Sequence, residues 1–223
     1  MRPLLLAVLL LAGCRPNDGG TQTPQAGERG QTTTADSAAN ALLERADAGR
    51  IQGDTAAPVW IVEVSDFQCP YCRMFHEETY PALQREFIRT GIVRLAFVNL
   101  PLQMHRNAQP AAEAAMCASA QGRFWPVQDA IFASQERWAN IADPAPYFDS
   151  LVVAAGVNAA EFRDCIQSGT IRRLIAADVG RAAGVDIRST PTFFVGDERL
   201  NGAAPIEAFR AAIQRARAAR PPG

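Results

Sequence analysis

Apolar residues change their spacing several times along the chain, and each change marks an element. Pro58-Val59-Trp60-Ile61-Val62-Glu63-Val64 is mostly apolar and β-branched, the composition of a strand buried on both faces of a sheet. Ile92 to Val98 alternates and is rich in β-formers, which predicts a second sheet strand. Thr192-Phe193-Phe194-Val195 predicts a third, running through a turn at Gly196-Asp197 into a hairpin partner from Glu198 to Asn201. Ile51 begins a short edge strand. Helical spacing governs the rest. A first helix starts at Ser37, a good N-cap, and ends at Gly49 after Leu42 and Leu43 have faced the core. Another follows Cys69 and runs to about Arg89, where Gly91 stops it; Pro81 kinks it by removing one backbone bond and crowding the preceding turn. From Asn107 to Gly184 the chain holds only helical segments: Ala108 to Gln121, Phe124 to Gln135, Pro144 to Ala155, Ala159 to Ser168 and Ile171 to Ala183. Gly122, Gly156, Gly169 and Gly184 punctuate them. Pro205 opens a last helix that reaches Ala218.

Two cysteines, Cys69 and Cys72, stand two residues apart where the first main strand gives way to a helix. Cys69 falls at the helix N-terminus, where unpaired N–H groups and the positive end of the helix dipole stabilise a thiolate and make it a nucleophile. Cys72, one turn further in, is placed to attack a mixed disulfide formed on Cys69. Half a zinc site and an inert structural disulfide are the competing readings. Zinc usually takes four protein ligands, and no second C-x-x-C or H-x-x-x-H occurs; the two histidines, His76 and His105, are dispersed, so no metal is expected. His76, four residues after Cys72, either tunes the pair or is a partly buried helix-face histidine. The chemistry needs no cofactor, because the two sulfur atoms carry the electrons.

Length and charge narrow the class. The 223 residues, 48% of them hydrophobic, suffice for one domain with an insertion. A net charge of −1, with basic residues that are all arginine and scattered, argues against a nucleic-acid partner. The N-terminus reads Met1-Arg2, an apolar run from Leu4 to Ala12, then Gly13-Cys14: a secretory signal too short to span a membrane. Leu11-Ala12-Gly13-Cys14 resembles the bacterial lipobox, which implies lipidation of Cys14; a plain signal peptide with an incidental cysteine is the alternative. Residues 15–36, rich in Gly, Thr, Gln and Pro with no apolar period, read as a flexible tether. Lipidating Cys14 leaves four of the five cysteines, an even number in an exported, oxidising setting. Cys117 and Cys165, each mid-helix among apolar neighbours, are accordingly expected to pair in a structural disulfide; two free buried thiols are the alternative.

The order of elements is that of an α/β thioredoxin-like fold, residues 37–106 and 185–223, interrupted by an all-helical insertion, residues 107–184. Four stretches sharpen this: Val62-Glu63-Val64-Ser65-Asp66-Phe67-Gln68-Cys69-Pro70-Tyr71-Cys72, Leu100-Pro101-Leu102, Gln121-Gly122-Arg123-Phe124-Trp125, and Ser189-Thr190-Pro191-Thr192-Phe193-Phe194-Val195. In this order they resemble the DsbA-like family of exported thiol:disulfide oxidoreductases, over nearly everything from Ile51 to Ala218. The resemblance implies that Pro191 is a cis-proline lying against the active-site disulfide, and that Glu63 is a buried acid assisting proton transfer around Cys72. A strand carboxylate at the solvent edge is the other reading of Glu63. Thr190 and Pro191 would form an edge where an extended substrate docks by main-chain bonds beside Cys69, with apolar surface around Phe67, Tyr71 and Pro191. Implied partners are cysteine-containing exported proteins and a membrane redox partner, met by a monomer. The chain departs from the best-known strong oxidant of the family at Tyr71, where that protein has histidine. A reductase or isomerase fed by a membrane donor, and a non-catalytic lipoprotein holding peptides or metal cargo, are the other function classes.

Overall fold

The computed structural model describes residues 34–219. The expected signal, Cys14 and the tether lie outside them, except that the last three tether residues are already helical: α1 spans Thr34–Gly49 and places Ser37 inside its first turn, not at its cap. The sheet then assembles from β1 (Ile51–Gln52), β2 (Val59–Ser65), β3 (Val93–Asn99), β4 (Thr192–Val195) and β5 (Glu198–Asn201) in the order β1-β3-β2-β4-β5. Only β2 and β3 are parallel, which requires a crossover between them. That crossover is α2 (Pro70–Glu78), α3 (Tyr80–Leu83) and a π-helical turn over Gln84–Ile88. The expected single helix kinked at Pro81 is thus broken two residues earlier, at Thr79. Pro81 then sits in the first turn of α3, where its missing N–H leaves no bond unmade.

Six helices follow β3: α4 (Ala108–Ser119), α5 (Phe124–Ala133), α6 (Gln135–Trp138), α7 (Ala145–Ala154), α8 (Ala159–Ser168) and α9 (Ile171–Gly184); α10 (Ile206–Ala218) closes the described chain, with Pro205 as its N-cap. The fourth helical segment matches α8 residue for residue. The second does not: Ser134 turns its hydroxyl back onto Ala130 O at 2.6 Å, ends α5, and a separate turn, α6, begins at Gln135.

Strand alternation sets the packing. Val59, Ile61, Val93, Leu95, Phe193 and Val195 point to one face, where Phe75 of α2 and Phe209 of α10 meet Phe193 with ring centroids 4.4 and 5.0 Å away. On the other face only the Val64 end is covered, by Ala182 of α9 and by Ile187 just after that helix. β2 is therefore not buried on both faces throughout: Trp60 is half exposed, with the Arg94 guanidinium 4.7 Å from its ring.

The N-terminal helix belongs to the helical layer rather than to the sheet. It packs on α4 and α9, and Ser119 Oγ donates to Ala46 O at 2.6 Å. Just after it, the buried Arg50 guanidinium meets the buried Asp178 carboxylate of α9, which also accepts from Asn99 N and Asn99 Nδ2 at 3.0 and 3.1 Å. One carboxylate thus ties α1, β3 and α9 together.

A disulfide joins Cys117 of α4 to Cys165 of α8, with Cα atoms 5.8 Å apart and a sequence separation of 48. Closing a loop of that length restricts the unfolded chain by about 4 kcal/mol in the chain-entropy account. The double variant Cys117→Ala, Cys165→Ala is expected to lose roughly that much stability in urea titration. It should keep the redox chemistry of Cys69 and Cys72, which lie outside the loop.

Candidate active site

The turn between β2 and α2 is built around a buried carboxylate. Asp66 Oδ1 accepts from Gln68 N at 2.7 Å, and Cys69 N donates back to Asp66 O at 3.1 Å. Its other oxygen, Oδ2, accepts from Leu102 N at 2.8 Å and lies 2.7 Å from His105 Nδ1. Asp66 therefore pins the loop after β3 against the cysteine turn, and its own N–H points at Cys72 Sγ from 3.5 Å. Gln68 extends the grip: Asn107 N donates to its Oε1 at 2.7 Å, and its Nε2 donates to Ala139 O at 2.9 Å. Gln135 of α6 adds two bonds, from Nε2 to Phe67 O at 2.7 Å and to Cys69 O at 3.0 Å.

This frame puts two chemically unlike thiols on one helical turn. Cys69 is the N-cap of α2, extended at φ −70°, ψ 124°, and Cys72 lies inside the first turn. Neither cysteine is openly exposed: Cys69 is 4% exposed and Cys72 0%. The small opening lies at Cys69 alone. Its thiol is lowered from 9.0 to about 6, first by the hydrogen bond with the Cys72 thiol, against the opposing effect of burial, and further by the N–H groups of Cys72 and Tyr71. Cys72 is pushed well above 9.0, by burial first and then by its neighbour Cys69.

Glu63 lies on β2 and is buried, not at the solvent edge. Burial lifts its carboxyl from 4.5 to about 7. Ser65, the next residue along the same strand face, has a buried hydroxyl with no partner at hydrogen-bonding geometry. It is nonetheless near enough to the Glu63 carboxyl and the Cys72 thiol to lower both against the larger effect of burial. The Thr190-Pro191 peptide is cis, and Thr190 O receives Cys69 Sγ at 3.4 Å. Cys69, Cys72, Thr190 and Pro191 thus converge.

Other expectations for the site need correction. Phe67 offers no surface: it is buried, its ring centroid 5.1 Å from Phe97 and 5.0 Å from Phe132, because the turn after β2 folds it into the helical core. Pro191 is buried as well. Tyr71, 59% exposed, is the apolar residue that the cysteine turn presents. His76 stacks on Tyr80 and Phe132, each about 5 Å away, and pairs with Asp129 at 3.2 Å, so it serves helix packing. Cys117 and Cys165 stand apart in their disulfide. Among the described residues, no cluster of three or more His, Cys, Asp or Glu side chains is arranged to hold a metal.

Asp66, Gln68, His105 and Gln135 were not singled out from the sequence as site residues. Asp66 and Gln68 lie within the stretch that carries the resemblance, and His105 follows Leu100-Pro101-Leu102 by three residues. Gln135 carried no comparable signal, since its contact crosses 66 to 68 residues of chain.

Comparisons with known proteins bear on the whole of this arrangement. The family model described as Thioredoxin matches residues 45–215. Among solved structures, BdbD from Bacillus subtilis superposes with a TM-score of 0.70 at 23% identity, covering 77% of this chain and 94% of that one. Among curated relatives, disulfide bond formation protein D from Bacillus subtilis is 23% identical over 74% of this chain and 75% of its own length. A Na(+)/H(+) antiporter, NhaA 3 from Salinispora tropica, is 36% identical over 76% of this chain, yet this chain spans only 25% of that protein. By the extent of the family match the chain belongs to the thioredoxin family, and its fold is similar to that of BdbD.

Proposed function

We propose that this protein is an exported oxidase that passes the Cys69–Cys72 disulfide to cysteine-containing proteins outside the cytoplasm. The carrying observation is the opposition of the two thiols. A thiolate stable near neutral pH favours the reduced form of the pair, which makes the corresponding disulfide a willing electron acceptor. A substrate thiolate attacks Cys69 Sγ; the Cys69–Cys72 bond breaks and Cys72 leaves, taking a proton. A second substrate thiolate then attacks the substrate sulfur of the mixed disulfide and releases Cys69 as a thiolate. Two electrons pass from the substrate dithiol to the pair, and an oxidant of the disulfide class at the membrane restores it. Cys72, whose thiolate is unstable in its buried place, needs the proton, and Glu63, titrating near neutrality, is the acid that supplies it. Thr190 and Pro191 border the position that the incoming sulfur occupies, and Tyr71 offers the apolar contact beside it.

We place the protein at a membrane through lipid on Cys14, with the tether giving reach, and read it as a monomer. Joining of the same module to an antiporter in a relative supports a membrane setting. Among the described residues, no helix is long and apolar enough to cross a membrane. A membrane-fed reductase or isomerase is the second reading, favoured only by Tyr71 standing where an imidazole would add to thiolate stabilisation.

The division of labour is tested by trapping. Cys72→Ser should accumulate mixed disulfides with partner proteins on non-reducing gels and Cys69→Ser should accumulate few; equal trapping would remove the assignment. In the same cells, a resident pair found oxidised supports the oxidase and a reduced one the reductase.

Glu63 makes a pH prediction with a definite sign. Its folded pKa lies above its unfolded one, so the carboxyl costs no stability below about pH 4.5, and the cost grows until the pH passes about 7. Glu63→Gln should therefore match the wild type in acid and exceed it by about 3 kcal/mol at pH 8. The same variant should slow disulfide transfer, roughly a hundredfold at neutral pH.

Lipid anchoring is read from partitioning. The wild type is expected in the detergent phase and Cys14→Ser in the aqueous phase. A wild type found in the aqueous phase, processed at another residue, would contradict the anchor.

A further inference from the structure

We propose that Gln135 is a positioning residue for the Cys69 nucleophile: sent in from the helical insertion, its amide holds the carbonyls of Phe67 and Cys69 and so aims Cys69 Sγ at the N-terminus of α2. The inference rests on the reading of Cys69 as the attacking sulfur. Gln135 is buried, and its Nε2 spends both hydrogens on the turn, at 2.7 and 3.0 Å. Those carbonyls lie two residues apart and bracket the residue before the nucleophile. Bonds to both fix the Phe67–Gln68 and Cys69–Pro70 peptide planes, the second of which sets the extended ψ of Cys69 at 124°. That backbone angle sets where the Cys69 side chain lies relative to the N–H groups of Tyr71 and Cys72.

The amide acts from a rigid base. Asn107 Nδ2 donates to Trp138 O and Ile141 O at 2.9 Å each and to Ala139 O at 3.2 Å, while Trp138 Nε1 donates to Ile131 O at 2.9 Å. α6 is therefore anchored to Asn107 and to the end of α5 as well as to the cysteine turn. Gln135→Met keeps the length of the side chain and removes the donor, leaving two buried carbonyls without this partner. The turn is then free to rotate, and the thiolate loses its alignment with the N–H groups that stabilise it. Gln135→Glu is nearly isosteric and, once ionised, presents a negative charge to both carbonyls and to the nucleophile.

The test follows alkylation of Cys69 by iodoacetamide against pH in the full-length reduced protein, read by mass spectrometry of the Cys69 peptide, with equilibration against glutathione for the reduction potential. Wild type should titrate near pH 6. Gln135→Met should titrate about one unit higher, so that alkylation in acid falls about tenfold, and Gln135→Glu should shift further. If the thiolate is destabilised tenfold with Cys72 unchanged, the pair becomes a weaker oxidant by about 30 mV. Ser119→Ala, which removes the buried bond from α4 to Ala46 O and lies outside the cysteine turn, should lower the urea midpoint and leave the Cys69 titration where it was. Should Gln135→Met fail to fold, Gln135→Glu carries the comparison alone. An unshifted titration in the Gln135 variants, or an equal shift in Ser119→Ala, overturns the proposal. A wild-type Cys69 that titrates near 9 would instead sink the underlying reading of the nucleophile, which separates the two failures.

Discussion

Two sulfur atoms three positions apart on one helical turn must be kept chemically unlike, and most of this structure follows from that constraint. Left in water, both thiols would titrate in the same range and neither would lead. Here one sits where the helix begins and the other where the protein interior begins. The difference is made by what surrounds them: the Cys72 thiol, with the N–H groups of the helix start, supports a thiolate at Cys69, while burial keeps Cys72 protonated. The long apolar strand β2 matters because it carries the turn deep into the molecule before releasing it into α2.

Such a turn cannot hold itself. Its hydrogen-bonding groups are too many and too buried for local partners to satisfy, so partners arrive from remote parts of the chain: the loop after β3 through Asp66, the helical layer through Gln68 and Gln135, and the loop before β4 through Thr190. The helical insertion is thereby more than a wall beside the site. It also shares its core with the site, because Phe67, Cys69 and Cys72 pack into the same apolar cluster as Met116, Phe124 and Trp138.

What could be read in the sequence was what depends on near neighbours. Strand composition located β2, β4 and β5; helical spacing and glycines located α4 and α8; the C-x-x-C spacing located the chemistry. Resemblance, rather than periodicity, pointed to Glu63 and the Thr190-Pro191 step. The misses share a cause. Trp60 was assigned to a buried strand because composition does not reveal that α9 covers only half of the face. Phe67 was assigned to the surface because its neighbours in sequence are polar or reactive, whereas its neighbours in space are Phe97 and Phe132. The break at Thr79 came from Pro81 finding a first-turn position, a choice between two local solutions that packing decides. Asp66 and Gln135 act through contacts that span dozens of residues, and no local pattern announces them.

The pairing of β2 with β4 sets Glu63 opposite Phe193, and the ribosome makes these two residues far apart in time. Every helix of the insertion is synthesised before the strand that completes the sheet, a topology of high contact order. During that interval Cys69 and Cys72 exist without the Thr190 carbonyl beside them and share an unfinished chain with Cys117 and Cys165, four thiols with three ways to pair two by two. In the folded chain Cys117 and Cys165 are joined between α4 and α8, and Cys69 and Cys72 stand as thiols. A polypeptide that ends before Pro191 would carry both cysteines of the site and lack the surroundings that make them different, so redox competence comes late in synthesis.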